Sequence, residues 1–138
     1  MRMRKACALV LVTAALLSGA GCGKSVYPVR GTVRFKDGTP LKVGRVIADS
    51  GDPQVGSWGY IREDGTFELG TFSHNDGVPP GTYRVWIENA VTSPPPGGDP
   101  TTFVSRPLIH SRFTDKESSG LTFEVPKETV WEIVVEKP

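Results

Sequence analysis

The stretch Glu63-Asp64-Gly65-Thr66-Phe67-Glu68-Leu69, followed by Val78-Pro79-Pro80-Gly81-Thr82-Tyr83-Arg84-Val85-Trp86-Ile87-Glu88, decides how this chain folds. Asp64-Gly65 is a tight-turn pair, because glycine accepts the positive φ that short connections between strands require. Apolar/polar alternation resumes beyond it, so the segment predicts two strands joined by a turn. Pro79-Pro80-Gly81 cannot continue a sheet, since proline has no N–H to give a neighbouring strand. A new strand therefore starts at Thr82, with Tyr83, Val85 and Ile87 on one face and Thr82, Arg84, Trp86 and Glu88 on the other.

Upstream, Val29, Gly31, Val33 and Phe35 alternate with Arg30, Thr32, Arg34 and Lys36, the pattern of a strand with one buried face, and Lys36-Asp37-Gly38-Thr39-Pro40 turns it. A second strand is expected over residues 44–49 with Val46 and Ala48 inward, closed by Gly51-Asp52-Pro53. A third spans about residues 55–62, and a short fourth runs over 66–69. Downstream of Glu88 the alternation vanishes across residues 90–107. There Pro94-Pro95-Pro96-Gly97-Gly98-Asp99-Pro100 predicts an irregular or polyproline-like loop. Order returns weakly over residues 108–113. After the turn-forming Ser118-Ser119-Gly120, Leu121, Phe123 and Val125 make a sixth strand; Trp131, Ile133 and Val135 define the last.

Seven short strands without a sustained 3.6-residue apolar repeat after Gly23 predict an all-β fold, a single seven-stranded β-sandwich in which two sheets bury their apolar faces against each other. The residues expected between the sheets are Val33, Phe35, Phe67, Tyr83, Val85, Ile87, Leu121, Phe123, Trp131 and Ile133. A chain of 138 residues suffices for one such core, and its Gly 16 and Pro 12 suit short strands and many turns. The formal net charge is +1, and Arg2, Arg4 and Lys5 precede the first apolar run. Without those three the balance is slightly acidic, which gives no electrostatic basis for binding nucleic acid.

The amino end reads as an address. The basic trio, an apolar run from Ala6 to Leu17 too short to span a bilayer stably, and Ser18-Gly19-Ala20-Gly21-Cys22 together form a secretory signal. The small residues before the cysteine resemble a bacterial lipobox, with Gly19 where leucine is usual. That resemblance implies diacylglyceryl transfer to the Cys22 thiol, cleavage before it and acylation of the new amino end. The alternative is an ordinary cleaved leader that leaves Cys22 a free thiol. Cys7 lies within the leader, so the mature chain holds one cysteine and no internal disulfide. The expected division is residues 1–21 signal peptide, 22–28 lipidated end and tether, and 29–138 sandwich. The expected location is the cell membrane or outer membrane, after export.

Five motifs in order, Val29-Arg30-Gly31-Thr32-Val33, Asp37-Gly38-Thr39-Pro40-Leu41, the stretch from Glu63 to Leu69, Pro79-Pro80-Gly81-Thr82-Tyr83-Arg84-Val85 and Ser119-Gly120-Leu121-Thr122-Phe123-Glu124-Val125, resemble the carboxypeptidase regulatory-like domains, and most closely the small lipoproteins of this type in planctomycete-like bacteria. The resemblance implies a transthyretin-like (prealbumin-like) sandwich, which in the parent enzymes is an accessory to a separate catalytic domain. It also places the strands carrying Trp58, Ile47 and Trp86 in one sheet, with the Ile47 strand between the other two.

His74 and His110 are lone loop histidines, and His74 with Asp76 makes an i, i+2 pair, short of a metal site. The aspartates Asp37, Asp49, Asp52, Asp64, Asp76, Asp99 and Asp115 mostly occupy turns, where they bond local N–H groups. No calcium-loop spacing, phosphate-cradling loop or nucleophile elbow is present. The expectation is therefore no catalytic residue, no metal, no cofactor and no enzyme, but an anchored structural or protein-interaction module. Its partners would be the membrane, through Cys22, and an envelope protein. The alternative is an extracellular ligand, a glycan among them, held by outward aromatics. Alternation turns Trp86, Trp58, Tyr60 and Ile47 away from the core, forming either a free contact patch or a surface covered by residues 90–107.

Overall fold

The computed structural model describes residues 25–51 and 55–138. The leader, Cys22 and the Asp52-Pro53 pair lie outside the described residues. In chain order the strands are β1 (Arg30–Phe35), β2 (Arg45–Asp49), β3 (Gly56–Tyr60), β4 (Thr66–Glu68), β5 (Gly81–Glu88), β6 (Leu121–Val125) and β7 (Val130–Val135). They form two sheets, a three-stranded one in the order β4-β1-β7 and a four-stranded one in the order β3-β2-β5-β6. β1 and β7 run parallel, and every other strand pair is antiparallel. This is a two-sheet, sandwich-like all-β architecture, as the alternation predicts.

The apolar faces meet between the sheets. Val33, Val46, Ala48, Phe67, Tyr83, Val85, Ile87, Trp131, Ile133 and Val135 are all fully buried in one cluster. Tyr83 brings a hydroxyl into that core and donates it to the Pro79 carbonyl at 2.8 Å, so the buried polar atom keeps a partner. Three of the expected core residues, Phe35, Leu121 and Phe123, are only half-buried. Leu121 and Phe123 lie on β6, the outer strand of the four-stranded sheet, on the side where the other sheet ends at β7. Phe35 is the last residue of β1, at the rim.

Asp64-Gly65 forms the expected turn, with Gly65 at φ +83, the Gly65 N–H bonded to the Arg62 carbonyl and the Arg62 N–H to the Thr66 carbonyl. The two strands it joins, however, belong to different sheets, because β4 leaves β3 to pair with β1. Backbone hydrogen bonds between the two segments resume where Trp58 and Gly70 exchange a pair of 3.0 Å. Gly59 makes this crossing feasible, since a Cβ there would strike the Glu68 carbonyl. The weak return of order expected over residues 108–113 takes a local form. They form no strand, but lead into a short 3-10 turn, Ser111–Thr114, that buries Phe113.

Candidate functional site

The outward residues of β3, β2 and β5 form ordered rows, because antiparallel register sets side chains of equal parity opposite one another. Ile47 lies opposite Trp58 on one side and Trp86 on the other. One step along, Arg45 lies between Tyr60 and Glu88, and on the other side Asp49 lies between Gly56 and Arg84. The β2 strand is thus central, and Trp58 and Trp86 stand two strand spacings apart, about 9.5 Å. Trp58 is 36% exposed and Tyr60 59% exposed. Ile47 and Trp86 are half-buried.

Electrostatics hold this surface in place. The Arg45 guanidinium donates to Glu88 at 2.6 Å and lies 5.7 Å from the centre of the Trp58 ring. The Trp86 indole N–H donates to the same Glu88 carboxylate at 3.2 Å. The hydrogen bond from Arg45 holds the Glu88 carboxyl below its ordinary pKa, against the opposing effect of burial, with Trp86 assisting. Trp58 meets Tyr60 edge to face, centroids 5.3 Å apart, a favoured aromatic geometry. The Arg45 Nε–H is buried without a partner among the described residues; this desolvation cost accompanies laying the guanidinium against the indole, and the Glu88 ion pair and cation–π contact offset it. Beyond Ile47, Lys116 pairs with Asp49 at 3.3 Å and Arg84 with Glu117 at 2.8 Å. The result is an aromatic and aliphatic row bordered on both sides by ion pairs.

All four outward residues read from the sequence, Trp58, Tyr60, Trp86 and Ile47, come together here. Arg45 and Glu88 were missed as members of the site. Their signal is parity, since Arg45 shares the face of Ile47 and Glu88 that of Trp86. Residues 90–107 close on themselves at the base, Val91 pairing with Pro107 and the Thr92 N–H bonding to the Arg106 carbonyl, while Pro94, Pro95 and Pro96 are exposed.

Several of the remaining titratable residues have local structural partners. Asp76 accepts the N–H groups of Thr71, Phe72 and Ser73 at 2.7, 3.2 and 3.1 Å, fixing the loop that holds His74. His110 Nδ1 accepts the Arg112 N–H and caps the 3-10 turn. Asp37, Asp64 and Asp99 each accept the N–H and hydroxyl of the threonine two residues on, which lowers their pKa, chiefly through the threonine hydroxyl. Among the described residues no cluster of three metal-ligating side chains occurs, and no helix is long and apolar enough to cross a membrane. Compared with family models, curated proteins and solved structures, the chain matches none.

Proposed function

We propose that this chain is a lipid-anchored, non-catalytic module of the cell envelope, built as a transthyretin-like sandwich of the carboxypeptidase regulatory-like type, that presents the outer face of its four-stranded sheet to an envelope protein. The observation that supports this reading is the row Trp58–Ile47–Trp86, in register across three strands and bordered by the Arg45–Glu88 pair. Aromatic side chains with an adjacent arginine are the residue types enriched where binding energy concentrates at protein interfaces. A photo-crosslinker in place of Tyr60, used in intact cells, is expected to trap one partner. The double substitution Trp58→Ser and Trp86→Ser should abolish that adduct while the protein stays folded and membrane-bound. An adduct that survives the double substitution would refute the assignment.

A second reading is favoured by the amphipathic composition of the same surface. A pyranose offers an apolar ring face and a hydroxyl rim, matching indoles flanked by an arginine–glutamate pair. A glycan array read alongside tryptophan fluorescence distinguishes the two; no response across sugars removes the glycan reading.

A further inference from the structure

The chain enters the sandwich through Tyr27, whose N–H and carbonyl bond to Val78 at 2.9 and 2.8 Å. This pin fixes one end of the molecule. Tyr27, Asn75, Thr129 and Val130 line one shallow cavity of about 390 Å³, so the entering segment, the loop of residues 71–77 and the turn between β6 and β7 gather at the same end. The hairpin at Asp37-Gly38 lies at the other, beyond the last residue of β1. From Tyr27 back to Cys22 are five residues, a reach of at most about 17 Å.

The entry end is rich in exposed apolar surface. Tyr27 is 37% exposed, Phe72 55% and Val130 62%, and Pro28, Pro80 and Pro126 are exposed beside them. The loop that carries Phe72 does not present its carboxylate outward as a free charge, because Asp76 is bonded to three N–H groups of that loop. Those bonds also hold the loop in one shape, so Phe72 is displayed at little further cost in conformational entropy. The binding row on the outer face stands apart from this end: Trp86 is five residues along β5 from Gly81, a rise of about 16 Å.

From this placement we propose that the entry end, through Tyr27, Phe72 and Val130, rests against the lipid headgroup region, so that the domain stands upright on the bilayer with the Trp58–Ile47–Trp86 row held clear of it. The occupant is a lipid surface because the tether is too short to let the domain leave it, and because exposed aromatic and aliphatic groups set among the exposed charges of Arg30, Glu124, Lys127 and Glu128 suit the boundary between polar headgroups and acyl chains. The inference rests on acylation of Cys22, and its test separates the two.

When Cys22 is acylated its thiol is blocked, so the wild-type mature chain should take up no maleimide label. Three variants of the full chain, Phe72→Cys and Lys127→Cys at the entry end and Ser93→Cys in the distal loop, are processed in cells, labelled with an environment-sensitive fluorophore and reconstituted in phosphatidylethanolamine–phosphatidylglycerol vesicles. Nitroxide-headgroup lipid is expected to quench the labels at positions 72 and 127 about twofold or more strongly than the label at 93. Lys127→Cys tests the same end should Phe72→Cys fail to fold. Equal quenching at both ends, or stronger quenching at 93, with an unlabelled wild type, overturns the upright orientation and leaves the anchor standing. A wild type that takes the label overturns the anchor and the orientation with it.

Discussion

The Phe123 ring lies flat on the Trp131 indole, with centroids 4.4 Å apart and planes 8° from parallel. The pair joins β6 of one sheet to β7 of the other, on the side where four strands face three. Trp131 is fixed further by its indole N–H, which donates to the Glu128 carbonyl at 2.9 Å. Truncating the fully buried indole should therefore cost more than truncating the half-buried phenyl. Expected losses are about 4 kcal/mol for Trp131→Ala and about 2 kcal/mol for Phe123→Ala. Urea unfolding checks this; equal losses would show that the open side is as tightly packed as the centre.

The outer aromatics should separate stability from binding. Trp58→Ala removes a ring that is 36% exposed and touches Tyr60 and Arg45 and should cost about 1 kcal/mol, whereas Trp86→Ala also removes a hydrogen bond to Glu88 and should cost about 1–2 kcal/mol. Acrylamide quenching offers an independent reading. Wild-type emission should contain a strongly quenched part that disappears in Trp58→Phe, and the part from buried Trp131 should resist. Quenching unchanged by Trp58→Phe would contradict the exposure of that ring.

Asp76 gives the loop of residues 71–77 an acid sensitivity. Burial alone would raise its pKa, but the hydrogen bonds from Thr71, Ser73 and Phe72 outweigh it, and the net shift is downward. A carboxylate whose pKa falls on folding stabilises the fold fully above its unfolded value, about 3.9, and that contribution is lost as pH drops through the lower folded value. Asp76→Asn should thus lower stability by about 1 kcal/mol near neutrality and flatten the stability profile below about pH 4. Parallel profiles for wild type and variant would show that the three N–H bonds do not depend on the charge.

Cys22→Ala should leave the chain as uncleaved precursor or move it to the soluble fraction, since the acyl chains are the proposed source of membrane affinity. Fractionation with a processing blot decides this. Normal processing and undiminished membrane partitioning of the variant would remove the lipid anchor.

The strands were legible in the sequence where alternation was long. Tyr83, Val85 and Ile87 against Arg84, Trp86 and Glu88 leave no doubt about facing, and the outward positions of Trp58, Ile47 and Trp86 follow from the same parity. What local pattern does not encode is which sheet a strand joins. Asp64-Gly65 reads as a hairpin, but whether β4 keeps β3 or takes β1 depends on Gly59 admitting the Glu68 carbonyl, a contact between strands. The incomplete burial of Leu121 and Phe123 is likewise set by the unequal strand number of the sheets, which no window of β6 contains. The place of Arg45 against the Trp58 ring emerges only from cross-strand register.

The parallel pairing of β1 with β7 sets when the molecule becomes a molecule. Of the described strands, β1 emerges first from the ribosome and is the middle strand of its sheet, and one of its two edges waits for β7, the last of them to be made. Until residues 130–135 are free, β1 lacks half its ladder and the interior lacks Trp131, Ile133 and Val135 together. Closure is therefore a late, long-range event, the kind that slows folding. A chain halted before Val130 is an open-edged intermediate, and β7 acts as the latch that commits the other described strands.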